Sequence, residues 1–166
     1  MTIAGLDDLS LRPMTEADIA AVRALHNRSF AALAQAHHTQ VQIAAHEAAV
    51  AAAAYADDLR RSNIMLVLHG GDIVASAGWL AVAEEPGTAR IRKVFVAPAL
   101  ARRGLATRLV RDAESRARAA GHTRMFVRAN VNAVPLYAKL GYAKLRDGTM
   151  DVAPGVTLPV MFMAKD

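Results

Sequence analysis

Ile91-Arg92-Lys93-Val94-Phe95-Val96-Ala97-Pro98-Ala99-Leu100-Ala101-Arg102-Arg103-Gly104-Leu105-Ala106-Thr107 changes character twice within 17 residues. Its first part, extended back to Ala89, is rich in apolar and β-branched residues and reads as a strand ending at Val96. Pro98 cannot continue a central strand, so the chain loops from there to Arg103 and closes on Gly104. Leu105, Leu109, Ala113, Arg116, Ala117 and Ala120 then recur at helical spacing, and Gly121 stands at a C′ position. A strand that feeds a glycine-containing turn into a helix presents unpaired N–H groups at the positive end of that helix. Such a turn suits an anion. Gly104 allows close backbone approach, Ala106 keeps the next turn small, and Arg102 and Arg103 add charge. An ordinary strand-to-helix turn with a packing glycine is the alternative.

Upstream, Leu9 to Met14 reads as a strand, and Thr15-Glu16-Ala17-Asp18 resembles a capping box with Asp in place of Glu or Gln. Ile19, Val22, His26, Phe30 and Leu33 follow at helical spacing. After the break Ala36-His37-His38-Thr39, a second, alanine-rich helix is expected to run to about Arg61. Asn63 to Leu68 and Asp72 to Ala83, separated by His69-Gly70-Gly71, form an expected hairpin. Downstream, Thr123 to Ala129 is a strand, and a short helix is expected from Asn132, as N-cap, to Leu140, with Pro135 in its first turn. Tyr142 to Arg146 and Leu158 to Met163 are the last strands, and Asp147 to Thr157, with two glycines and Pro154, reads as a loop. The order β-α-α-β-β-β-α-β-α-β-β predicts one mixed α/β sheet covered by helices, in a single domain over residues 1–166. Trp79 is expected to pack on the sheet.

Composition narrows the function classes. There is no cysteine, which removes disulfides, thiolate metal sites and a cysteine nucleophile. Met1 to Ser10 has neither a basic nor an apolar region of the kind a signal peptide carries, and the alanine-rich run Ala48 to Ala56 is far short of a membrane span. These readings predict a soluble, cytoplasmic protein without a membrane partner. The net charge is +5, with Arg90, Arg92, Lys93, Arg102, Arg103, Arg108 and Arg111 inside 22 residues. A small polyanion with several phosphates suits that cluster as well as a nucleic acid does, and a solvated basic surface is the plain alternative. Surface aromatics are not interleaved with the basic residues, which speaks against a single-strand nucleic-acid platform. The six histidines show no metal-ligand spacing, so no metal is expected.

A second stretch, Asn130-Val131-Asn132-Ala133-Val134-Pro135-Leu136-Tyr137-Ala138-Lys139-Leu140-Gly141-Tyr142, follows the first at a fixed place in the element order. In both stretches and in topology, residues 9–165 resemble the GNAT superfamily of acyl-CoA N-acyltransferases. That family's first signature is Gln or Arg, two residues, Gly, any residue, then Gly or Ala. Here it stands as Ala101-Arg102-Arg103-Gly104-Leu105-Ala106, departing only at Ala101. Its second signature is Asn, two residues, Ala, two residues, Leu-Tyr, two residues, Leu-Gly-aromatic, which the second stretch matches closely.

The resemblance implies a sheet splayed at the cofactor strand and acetyl-CoA as cofactor. It implies that Val94, Phe95 and Val96 line the coenzyme A arm, with the Val94 amide toward the thioester carbonyl. The amides of Arg102, Arg103, Gly104, Leu105, Ala106 and Thr107 would hold the pyrophosphate. Asn130 would contact the cofactor arm, and Tyr137 would protonate the leaving thiolate. A core aromatic is the alternative for Tyr137, and a turn former for Asn130. His37 and His38 fall where such proteins place acceptor-site residues, with a solvated loop as the alternative. Many members carry a glutamate base four residues before the oxyanion amide, and here that place is Arg90. An arginine is no base at ordinary pH. A relay through water to Glu84, Glu85, His37 or His38 is one substitute, and an acceptor amine that is already neutral is another. Arg90 itself would suit an acidic acceptor such as an amino-acid carboxylate, against a simple solvated charge. The expected function is acetylation of a primary amine, on a small molecule in preference to a protein N-terminus or aminoacyl-tRNA. A non-catalytic acyl-CoA- or nucleic-acid-binding module is the competing class, and homodimerisation is left open.

Overall fold

The computed structural model describes residues 8–166, so the reading of the first seven residues lies outside it. Strand β1 (Leu9–Pro13) leads into the Thr15–Asp18 capping box, which forms as expected. Asp18 accepts from the Thr15 backbone N–H at 2.7 Å and takes both nitrogens of the Arg12 guanidinium at 2.7 and 2.9 Å. Arg12 pulls the Asp18 carboxyl well below the ordinary range, against the opposing effect of burial. This pair ties β1 to the start of helix α1 (Ile19–Ala34). Ile19, Val22, His26 and Phe30 are buried on one face of α1, whereas Leu33, in the last turn before the chain leaves the sheet, is 40% exposed.

The expected second helix is two helices, α2 (Gln40–Ala51) and α3 (Ala53–Arg61), because Ala52 takes an extended conformation with ψ 150°. Alanine carries almost no packing information, so composition does not mark this break. The Ala52 carbonyl accepts a bond from Arg23 of α1 at 2.7 Å. The end of α3 is stapled to the sheet through Ser62, whose carbonyl accepts from the Trp79 N–H at 2.8 Å.

Strands β2 (Met65–His69) and β3 (Asp72–Ala81) form the expected hairpin, with φ of +56° and +88° at Gly70 and Gly71. Strand β4 (Thr88–Val96) follows, then helix α4 (Leu105–Ala119), strand β5 (Arg124–Asn130), helix α5 (Val134–Lys139), and strands β6 (Ala143–Ala153) and β7 (Val156–Lys165). Asn132 is not the N-cap of the short helix. It lies inside a 3₁₀ turn, Val131–Ala133, that precedes α5.

The stretch read as a loop from Asp147 to Thr157 is mostly strand, since β6 and β7 form a long hairpin that turns at Pro154-Gly155. Gly148 is a packing glycine there: a Cβ would lie 2.0 Å from the Phe162 ring. The seven strands are ordered β1-β2-β3-β4-β5-β7-β6. All neighbours are antiparallel except β4 and β5. Alternation along the strands divides the core. Ile91, Val127, Ala129 and Met163 meet α4 and α5 on one face, and Leu66 and Ile64 meet α1 and α3 on the other. Trp79 packs against the α4 cluster, tilted on His122.

Gly78 is the tightest point of the α3 staple, because an added Cβ would stand 2.1 Å from the Ser62 carbonyl oxygen. Gly78→Ala is therefore expected to lower stability by about 1–3 kcal/mol through overpacking against backbone. The urea midpoint should fall with an unchanged slope.

Candidate active site

The parallel pair β4 and β5 is joined at three positions only: Thr88 opposite Arg124, Ala89 opposite Met125, and Arg90 opposite Phe126. Beyond Arg90 the strands part, and β5 continues alongside β7 as far as Asn130 opposite Val160. The result is a fork. One lip is Ile91–Val96 with the turn into α4, and the other is the end of β5 with α5. The two sequence motifs stand on opposite lips.

On the first lip, β4 carries a bulge. Ser76 faces Phe95 and Gly78 faces Arg92, so Lys93 and Val94 together oppose one residue of β3. Lys93 accommodates this with φ +57°, a left-handed conformation that costs a non-glycine residue about 1–2 kcal/mol. A buried hydrogen-bond chain holds it. The Ser76 hydroxyl donates to the Lys93 carbonyl at 2.7 Å, and Ser76 lies 2.8 Å from His26 Nε2. His26 Nδ1 lies 2.7 Å from the Tyr55 hydroxyl. Because the serine proton is committed to the carbonyl, Nε2 donates and Nδ1 accepts from the phenol, which assigns the imidazole tautomer from the network. His26 is wholly buried and stacks on Phe95 at 4.1 Å. Burial, with Lys93 and His46 nearby, keeps its pKa well below the ordinary value, so the ring is neutral.

Asp58 of α3 clamps the same bulge from its side chains. It takes both guanidinium nitrogens of Arg92, one at 2.9 Å, and Lys93 Nζ at 3.0 Å. Against the upward effect of burial, Lys93 and Arg92 hold the Asp58 carboxyl below its usual range. Burial and Arg92 bring Lys93 down to about 8, with Asp58 acting in the other direction. The Lys93 ammonium also sits 3.9 Å from the Tyr55 ring centroid.

Past Val96 the chain makes the 3₁₀ turn Pro98–Leu100 and enters α4 with φ +61° at Arg102 and +83° at Gly104. Leu105 is buried beside Val96 and Leu109, which pins the first turn. The first helical bond runs from the Arg108 N–H to the Gly104 carbonyl, leaving the amides of Leu105, Ala106 and Thr107 without intrahelical acceptors. Gly104 brings no capping side chain and is exposed, as are Arg102 and Arg103. These are the features of an anion cradle, and they fit the pyrophosphate of coenzyme A.

On the second lip, Tyr137 is buried among Val127, Ala129, Leu140 and Tyr142, edge-on to Tyr142 at 5.4 Å. Burial raises its phenol well above the ordinary value, Arg90 opposes this, and no hydrogen bond contributes. Asn130 closes β5 and makes no side-chain cap to the turn that follows. Glu114 of α4 accepts from the Tyr142 hydroxyl at 2.7 Å and from Lys165 at 2.9 Å, which fixes the ring that backs Tyr137.

The remaining expected residues are spread out. His37 is exposed, and His38 is buried against Phe30, at 5.4 Å between ring centroids. His46 stacks on the same Phe30 at 3.7 Å, and burial lowers it to about 4. Glu84 and Glu85 lie in the turn before Thr88, at the closed end of the fork. Val94 is six residues along the strand from Thr88, roughly 20 Å. Arg90 stands at the crotch of the fork. Among the residues sequence reasoning passed over are Asp58, Tyr55, His26 and Ser76. The faint signals were a histidine on the apolar face of α1 and a serine inside an apolar strand.

The matching family model is described as Acetyltransferase (GNAT) family and covers residues 19–142, more than half of the chain. The chain belongs to the GNAT acetyltransferase family. The reaction of this family is acetyl transfer from acetyl-CoA. A GCN5-related N-acetyltransferase from Rhodopseudomonas palustris is 26% identical, with a TM-score of 0.83 over 94% of each chain. PaiA N-acetyltransferase from Thermoplasma acidophilum, solved with coenzyme A, is 12% identical, with a TM-score of 0.76 over 95% of this chain and 98% of that one. YncA from Salmonella typhimurium, solved with acetyl-CoA, is 20% identical, with a TM-score of 0.65 over 96% and 94%. These last two share the fold. Among curated proteins none matches significantly. Among the described residues no helix is long and apolar enough to cross a membrane, and no three His, Asp or Glu side chains gather as a metal site.

Ser76→Ala removes the link between His26 and the Lys93 carbonyl. The loss of its two hydrogen bonds, which leaves the His26 Nε2 donor and the Lys93 carbonyl without this partner, is expected to lower unfolding free energy by about 1–3 kcal/mol, read by urea denaturation.

Proposed function

We propose that this chain is an acetyl-CoA-dependent N-acetyltransferase that transfers an acetyl group directly to the primary amine of a small molecule. The observation that supports this reading is the fork between β4 and β5: the bulge at Val94 and the bare N-terminus of α4 belong to one lip, and Tyr137 packs in the cluster of the other, against which Val94 also rests.

In this reading the amides from Arg102 to Thr107 hold the pyrophosphate, and Val94, Phe95 and Val96 line the pantetheine arm opposite Asn130. Acetyl-CoA supplies an acyl group activated as a thioester. The Val94 N–H is the donor placed for negative charge developing on the acyl oxygen, where a preorganised amide in a dry site is most effective. Tyr137 keeps its proton at Oη because burial disfavours the phenolate, and that proton is available to the departing sulfur. For the acceptor, Glu84 and Glu85 are poorly placed as bases, which leaves His37, His38 or an amine that arrives neutral.

A small acceptor is supported by the wall on that side. Gln42 of α2 donates to the Thr157 carbonyl of the β6–β7 hairpin at 2.9 Å, and Phe30, Ile43, Phe95, Met150 and Leu158 pack beneath that tie. The approach is thus bounded by α2 and the hairpin.

Acetyl-CoA is expected to raise the melting temperature, by about 2.7 kcal/mol of mass-action stabilisation at a hundredfold excess over Kd. Gly104→Val, which forces a β-branched residue into φ +83°, should lose that shift. An unmoved wild-type transition at millimolar cofactor would refute the cofactor site. For the chemical step, Tyr137→Phe should lower kcat by about 10²–10⁴ while cofactor affinity stays within a few fold, measured by thiol release with the best amine of a panel. An unchanged kcat would reduce Tyr137 to a packing residue.

A further inference from the structure

The acceptor side of the fork holds more positive charge than it neutralises. Arg90 and Arg92 alternate with the core-facing Ile91, and Lys93 joins them at the bulge through its contact with Asp58. Arg128 is two residues past Phe126, the register partner of Arg90, and so projects from the same face of β5. Asp58 is the carboxylate that meets this group, and it is already shared by Arg92 and Lys93. Among the described residues, neither Arg90 nor Arg128 enters an ion pair.

Arg90 is the more unusual of the two. Its Nε is buried with no hydrogen-bond partner. Burial first, then Arg92 and Arg128, lower its pKa to about 9, against the opposing effect of Asp58. Among the described residues no side chain or carbonyl accepts from the half-buried Arg90 guanidinium, which leaves it open to a ligand that supplies an acceptor. Arg128 is exposed beside an aromatic floor, 6.0 Å from the Phe162 ring, and Phe162 in turn stacks on Phe126 at 5.8 Å. Arg90 is also close enough to Tyr137 for each to shift the other's ionisation.

We infer that Arg90 and Arg128 form an anion subsite for the acceptor, and that the acceptor is a small amine carrying a carboxylate a few bonds from its nitrogen. The inference rests on the N-acetyltransferase reading and narrows it. A guanidinium is a planar fork that meets a carboxylate with two parallel bonds, and two such forks around one anion select against an amide or an ester of the same shape. The same pair repels polycationic amines, since an extra ammonium would meet two uncompensated cations.

The test uses the full chain with acetyl-CoA and a panel of L-amino acids, each paired with its own amide, following thiol release. Wild type should favour acids over amides in kcat/KM. Arg90→Gln should reduce that ratio about 10- to 100-fold, the range for losing a hydrogen bond to a charged group, and the exposed Arg128→Gln should reduce it less. A wild-type preference for the amides, or variants that slow acid and amide equally, overturns the subsite; the second result would assign Arg90 to Tyr137 instead.

If no amine is turned over, the N-acetyltransferase reading fails by itself and melting curves decide the subsite. With acetyl-CoA present, millimolar amino acids should raise the transition where their amides do not; Arg90→Gln should remove the difference and Arg128→Gln should narrow it. Equal effects of acid and amide overturn it.

Discussion

The Lys93 carbonyl is where the architecture and the proposed chemistry meet. A sheet gains most by pairing every residue, yet here β4 leaves β5 after Arg90 and then departs from register with β3 at Lys93 and Val94. Both departures forgo backbone hydrogen bonds, and Lys93 adds a left-handed conformation. What keeps the strand from relaxing is the chain from Tyr55 through His26 and Ser76 to that carbonyl, backed by the Asp58 clamp on the adjoining side chains. Each group in it is satisfied by the next. Buried polar networks of this kind specify one geometry more effectively than apolar packing does, because a partly made network is worse than none.

Two carboxylates brace the elements around the fork. Asp58 acts on the β4 lip, drawing two cations of that strand toward α3. Glu114 acts on the other side, where it gathers Tyr142 and Lys165 and so braces the aromatic pair behind α4. Both are buried or half-buried, and both are matched by cations or donors, as burial of a charge requires. Removing one partner from either cluster would strand a charge rather than merely weaken a contact.

Much of this was legible in the sequence, and the reasons differ by element. The strand, loop and glycine turn around Gly104 could be read because proline, glycine and helical periodicity act locally. The capping box at Thr15 is likewise local. The break at Ala52 was not legible, since alanine is equally content on either side of it. The β6–β7 hairpin was hidden for a different reason: Gly148 reads as a loop former, whereas its role is to admit Phe162 from the neighbouring strand. The motif residues Gly104, Asn130 and Tyr137 were visible through resemblance. Tyr55, His26, Ser76 and Asp58 were not, because they come from four elements and meet only after the sheet and α3 are assembled. Arg90 was conspicuous as a departure, but Arg128 became relevant only once the register of β4 and β5 placed it two residues along the same face.

The break at Ala52 gives the alanine-rich segment two independent attachments. As one straight helix, residues 40–61 would extend about 33 Å in a single direction. Bent at Ala52 and fastened there by Arg23, α2 reaches the hairpin through Gln42 while α3 turns back to offer Tyr55 and Asp58 to the bulge. The two halves therefore answer to separate demands. One extended alanine thus lets a single alanine-rich segment brace two parts of the sheet that a straight helix could not reach together.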